Sequence, residues 1–261
     1  MNYLLNKIKD AKLELKPFPH IVIDNFLDQD DFKLISNEIL KIENNIDQSV
    51  NHSVSRSEII LNKNGNKDYI FDNLSNTLES SDFIKVVKKK FENYYPKNFD
   101  KLHLKTNPNL LVYNGPTGKE SRSPRGPHID PAKELFNWLL YLKEETDKYT
   151  NLYLYDFKDY FRGYDYKEFD KNTIPINDLN LSKSIECSPN KFLLFFNSHE
   201  AVHSVGHRKP FSGIRVYLTG GVVFKNSLYW SINKLRFKDK FRYILLRPFQ
   251  RLKNKILSLR N

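Results

Sequence analysis

The stretch RGPHIDPAKELFNWLLYLKEE, residues 125–145, decides how the rest of the chain is read. Gly126-Pro127 marks a turn, and an apolar β-type run with the core NWLLYL follows Pro131. In an extended segment residues i and i+2 share a face. His128 and Asp130 therefore point the same way and can approach one ion together. Taken alone the pair is weak, because a bare His-x-Asp match arises readily by chance. The competing reading is a polar turn pair that caps the strand.

Working outward, the second half of the chain is a series of such runs: NLLVYNG, FNWLLYLKEE, TNLYLYDF, SIECSPNKFLLFF and GIRVYLTGGVVF. Each is short, aromatic or β-branched, and bounded by turn residues. The first half reads differently. A β-rich run from His20 to Phe26 leads to Asp28, which looks like a helix cap, with Asp31 three residues on. The helix that follows would place Phe32, Ile35, Ile39 and Leu40 inward. A second helix is expected over 80–95, since Phe83, Val86, Val87 and Phe91 recur at helical spacing. Residues 44–78 are polar and Asn-rich and carry no clear period. Helices first and strands after them predict an α+β domain with an antiparallel sandwich or barrel core and helices packed outside. The segment 156–182 interrupts the strand series and reads as an insertion or lid.

A 2-His-1-carboxylate iron site needs one more imidazole and open positions. The downstream candidates are His199, His203 and His207, in NSHEAVHSVGHRKPFSGIRVYL. Arg215 stands on the next β-type run, 12 residues after His203. Tyr113 ends the run before His128. This ordered set resembles the Fe(II)/2-oxoglutarate-dependent dioxygenase superfamily, on its prolyl-4-hydroxylase-like branch, over residues 15–224. The matching parts are PFPHIVIDNFL with its helix, the His-x-Asp pair, NKFLLFFNSHEAVHSV and then GIRVYL. The resemblance implies a double-stranded β-helix (jelly-roll) core. It implies His128, Asp130 and His203 as iron ligands and Fe(II), 2-oxoglutarate and O2 as cofactor and cosubstrates. Arg215 would pair with the distal carboxylate of 2-oxoglutarate, its planar fork matching a carboxylate bidentately. Tyr113 would donate to the same molecule. The His203–Arg215 spacing is slightly stretched, which keeps Arg208 as a substitute. Trp138 and Tyr141 read as core.

Composition bounds the partners. The formal charge is +11, yet residues 225–261 hold 11 Lys/Arg against one acid, Asp239, so that segment carries +10 and residues 1–224 carry +1. A charge argument for an anionic partner therefore concerns the tail alone. Within it Leu245, Phe249, Leu252, Ile256 and Leu259 fall at helical spacing among basic residues. This is the pattern of a membrane-surface helix, or of one that docks on a partner or on its own body. Nucleic acid ranks lower, for want of a recognition fold. One cysteine, Cys187, excludes a disulfide framework and any Cys-based zinc cluster. It reads as an inert small residue. The N-terminal stretch does not read as a signal peptide. The expectation is a cytoplasmic oxygenase domain, 1–224, followed by a basic helical tail, 225–261, that brings it to a membrane surface. It would hydroxylate a small molecule, an envelope glycan or a lipid-linked sugar. A peptidyl hydroxylase, a non-catalytic barrel and a metal-dependent epimerase are the alternatives.

Overall fold

The computed structural model of the chain describes residues 1–45, 56–60, 69–94, 104–114, 126–131, 134–144, 151–158, 173–206 and 215–224. All belong to the unit Met1–Ser227. The second unit, Leu228–Asn261, and with it the expected basic helix, lies outside the described residues.

Two antiparallel sheets form the core of a jelly roll. The larger contains β1 (His20–Ile23), β2 (Arg56–Ile60), β3 (Leu104–Thr106), β4 (Leu110–Asn114), β5 (Glu134–Glu144), β8 (Lys191–Phe196) and β10 (Arg215–Phe224). Its order is β1-β8-β5-β10-β4-β2, with β3 pairing β10. The smaller orders β7 (Leu179–Glu186), β6 (Asn151–Phe157) and β9 (Val202–Val205) as β7-β6-β9. Helices α1 (Asn2–Asp10), α2 (Gln29–Asn45), α3 (Tyr69–Leu78) and α4 (Ser81–Lys90) complete the described elements. None is long and apolar enough to cross a membrane.

The central strands read as unbroken apolar runs because both of their faces are covered. Alternation sorts KFLLFF cleanly. Phe192 packs on Trp138 and stacks on Phe26 at 4.1 Å, while Phe196 meets Phe91 just beyond α4. Leu193 and Phe195 face the other way, into a cluster shared with Leu152, Leu154, Ile185 and Ala201 of the small sheet's side. β5 divides likewise. Phe136 packs with Phe91, whereas Leu139 and Tyr141 join the cluster between the sheets. Burying one such large apolar side chain contributes about 1.5–3 kcal/mol. α4 begins where Ser80 accepts a hydrogen bond from the Phe83 N–H at 3.0 Å, and its last turn carries Lys88, Lys89 and Lys90, favourable at a helix C-terminus.

Three expectations need correction. Leu40 is 48% exposed, while Ile35 and Ile39 are buried. At 100° per residue Leu40 has rotated past the inner stripe that Ile35 and Ile39 define. The featureless 44–78 stretch holds β2 and α3. Finally, 156–182 is not one inserted segment. Asp156 and Phe157 still belong to β6 and pair with Asn180 and Leu179 of β7, and a 3-10 turn at Ile176–Asp178 precedes them. Apart from Leu181, the solvent-facing residues of β7 are polar, and that exposed leucine breaks the alternation, which hid the start of the strand from a reading by hydrophobicity. Residues 159–172 lie outside the described residues.

Candidate active site

β9 pairs with β6 on one side, and on the other it meets the loop around His128. His128 N–H donates to His203 O and His203 N–H donates to His128 O, both at 3.0 Å. Residues that exchange both hydrogen bonds lie directly opposite, with side chains on the same face. The two imidazoles are thus neighbours, with ring centroids 4.4 Å apart. Asp130, two residues beyond His128, shares that face. One Asp130 oxygen stands 3.4 Å from His128 Nε2 and the other 3.6 Å from His203 Nε2. The ligand atoms of His128, Asp130 and His203 all lie within 4.8 Å of one another. Atoms bound to one ion at about 2.0–2.2 Å stand at most about 4.4 Å apart. Little closing is needed.

The surroundings orient this set for a cation. His128 Nδ1 sits 2.8 Å from Gly126 O, and His203 Nδ1 sits 3.1 Å from Ala201 O. A carbonyl oxygen only accepts, so in each neutral ring the proton is on Nδ1 and the Nε2 lone pair is left for a metal. Burial opposes ionisation of Asp130, but His203, His128 and the Asn137 amide outweigh it and hold the carboxyl well below the usual carboxylate range. Asn197 donates from one amide nitrogen to the carbonyls of Asp130, Pro131 and Glu134 at 3.4, 3.0 and 2.9 Å, pinning the loop. Phe195, 5.0 Å from the His203 ring, walls the site on its apolar side. Two imidazoles and a carboxylate are the donor set of a non-haem Fe(II) centre with open positions.

A second polar group lies further along the inner face of the large sheet. Arg215 opens β10 and is 1% exposed, with its guanidinium 5.6 Å from the centre of the Tyr217 ring. Its Nε and Nη1 make no hydrogen bond among the described residues. The hydroxyl of Tyr141 is also buried, with the weakly polar Cys187 thiol beside it and no well-formed hydrogen bond among the described residues. Burial above all, then the Cys187 thiol, pushes the hydroxyl well above the usual phenol range against the opposing charge of Arg215, so it stays a donor. Tyr141 is the register partner of Tyr217. A buried guanidinium without an acceptor is costly, and an arginine is never neutral. Asn137, Leu139 and Tyr141 form one inward row, so the histidine–carboxylate end and the arginine end are joined along β5, four residues apart or about 13 Å.

The structure thus brings His128, Asp130 and His203 together and buries Arg215 nearby on the same sheet. His199 is buried but faces Glu200, with Nε2 3.6 Å from Oε1, and takes no part in the cluster. Tyr113 lies on β4 opposite Val216. Its side chain, like His207 and Arg208, lies outside the described residues. Tyr141, read from sequence as core, is core by burial and also the missed polar partner. The signal available was its alternation with Asn137 and Leu139, which puts it on the inward side of β5.

No protein-family model matches the chain, and no curated protein matches it in sequence. Solved structures do. A prolyl 4-hydroxylase from Phytophthora capsici superposes with a TM-score of 0.54 at 14% identity, covering 90% of this chain and 69% of that one. The non-haem α-ketoglutarate-dependent epimerase SnoN from nogalamycin biosynthesis superposes with a TM-score of 0.52 at 9% identity, covering 85% and 84%. The chain has the Fe(II)/2-oxoglutarate dioxygenase-like jelly-roll fold.

Proposed function

We propose that this protein is an Fe(II)- and 2-oxoglutarate-dependent oxygenase that hydroxylates a C–H bond of its substrate. One observation carries the reading. A complete two-histidine, one-carboxylate set lies at one end of an inward row of β5, and at the other lie a buried Tyr141 hydroxyl and a buried Arg215 whose Nε and Nη1 make no hydrogen bond among the described residues. A dicarboxylate held at both ends explains why the second end is polar and keeps these donors. With iron bound, the site couples oxidation of 2-oxoglutarate by O2, to succinate and CO2, to hydroxylation of the substrate.

The protein's part is positioning and exclusion of water. His128 and His203 present Nε2, their rings held through Nδ1. Asp130 presents an ionised oxygen. Arg215 offers a fixed positive charge and Tyr141 a hydroxyl donor to the far carboxylate. Leu139, Leu154 and Phe195 line the space between the sheets with apolar surface, which strengthens each of these electrostatic contacts.

The fold is shared by a hydroxylase and by an epimerase that depends on α-ketoglutarate. A buried anchor for that cosubstrate therefore does not separate the two outcomes. A non-catalytic barrel has no need of the metal set. We take a small molecule as the substrate class. The basic segment 225–261 favours one at a membrane surface, such as an envelope glycan or lipid-linked sugar; a peptidyl substrate is the alternative.

Anaerobic addition of Fe(II) and 2-oxoglutarate tests the reading. A visible charge-transfer band is expected in the wild type and none in His128→Ala/Asp130→Ala. Absence of the band in the wild type sinks the cosubstrate assignment; its survival in the double variant sinks the ligand assignment.

A further inference from the structure

Within the row Asn137, Leu139 and Tyr141, Asn137 is the residue that is neither apolar nor aromatic. Its amide nitrogen donates to Asp130 Oδ2 at 2.7 Å and to Glu134 Oε2 at 2.6 Å, so both amide hydrogens are committed. Its position is built from across the sheet. Gly221 is its register partner on β10, and a Cβ added there would lie 2.6 Å from Asn137 Oδ1. Only a residue without a side chain lets the amide lie in this orientation. Asn197, by contrast, holds the same loop through backbone carbonyls and touches no carboxylate in those bonds.

We propose that Asn137 is a positioning residue that fixes the rotation of the Asp130 carboxylate. The inference rests on the metal-site reading above. One Oδ2 lone pair is taken by the amide, so the carboxylate plane is set before any cation arrives, and binding through a single oxygen is favoured over a symmetric two-oxygen grip. The same amide separates Asp130 from Glu134, whose carboxylates would otherwise repel at close range. Outer-shell partners of this kind are typically worth about 10- to 100-fold in metal affinity.

Co(II) alone is the probe, titrated into the metal-free full-length protein and followed by visible absorption, with thermal melts of each variant alongside. Asn137→Leu keeps the volume and removes both donors. Asn137→Ala is the second variant, should the first fail to fold. The expected result is Co(II) affinity weaker by about 10- to 100-fold, an altered spectrum at saturation, and a metal-free melting temperature close to wild type. A folded Asn137 variant that binds Co(II) within a factor of about two of wild type, with an unchanged spectrum, overturns the positioning role while leaving the metal site standing. Failure of the wild type to bind Co(II) overturns the metal site itself, and the proposal with it.

Discussion

The two polar ends of the β5 row are built on opposite principles. At the histidine–carboxylate end each orienting contact comes from the protein. Nδ1 of His128 and of His203 meets a carbonyl, Asp130 takes an amide hydrogen from Asn137, and Asn197 ties down the loop. At the other end Nε and Nη1 of a buried arginine, and a buried tyrosine hydroxyl, make no hydrogen bond among the described residues. Buried polar groups in folded proteins are overwhelmingly satisfied. The contrast teaches that the first end is finished by folding, whereas the second leaves buried donors for the anion proposed above.

Substitutions can break that comparison. His203→Ala should abolish Co(II) binding in a titration, because the other two donors no longer enclose an ion. A cobalt-binding His203→Ala protein would leave the first end without its defining residue. Arg215→Leu should weaken 2-oxoglutarate binding to the metal-loaded protein by about 100-fold or more, the scale of losing one partner of a buried charge pair. It should leave Co(II) affinity alone and melt no lower than wild type without ligand, since an uncompensated buried charge is replaced by apolar surface. Equal losses of metal and 2-oxoglutarate affinity would show that the ends are not independent. Tyr141→Phe should cost 2-oxoglutarate about tenfold, one hydrogen bond of roughly 1 kcal/mol or a little more, with no loss of metal-free stability. A destabilised Tyr141→Phe would mean that the hydroxyl is satisfied by the protein after all.

The smallest effect sharpens the rule for satisfied groups. His20 is fully buried, with Nδ1 2.8 Å from Phe18 O and Nε2 3.2 Å from Lys183 Nζ. Burial chiefly, with help from Lys183, lowers its folded pKa from the ordinary 6.5. Below pH of about 6.5 the unfolded chain takes up a proton that the native state refuses, so stability falls as pH drops toward the lowered folded value. Melting temperatures at pH 7.5 and 5.5 should therefore converge in His20→Phe relative to wild type. An unchanged pH slope would exclude His20 as its source. For the basic segment, liposome sedimentation with and without residues 226–261 is expected to separate the two proteins, and equal partitioning would end the membrane proposal.

What the chain determined by itself was local. A period of two puts His128 and Asp130 on one face, and doubly covered strands such as KFLLFF and NWLLYL announce themselves as continuous apolar runs. A single helical stripe showed Ile35 and Ile39, and its narrowness explains why Leu40 was misplaced. Tertiary structure decided everything that depends on which strand lies beside which. His203 rather than His199 meets His128 because of the cross-strand register, a matter of one pairing between residues 75 positions apart. Tyr141 acquires Arg215 as a charged neighbour only because β10 lies against β5. β7 exists as a strand because β6 pairs with it, although half of its residues look like loop. The physical reason is common to all three. Side-chain periodicity is written in consecutive residues, whereas hydrogen-bonded register between distant strands is a property of the assembled sheet.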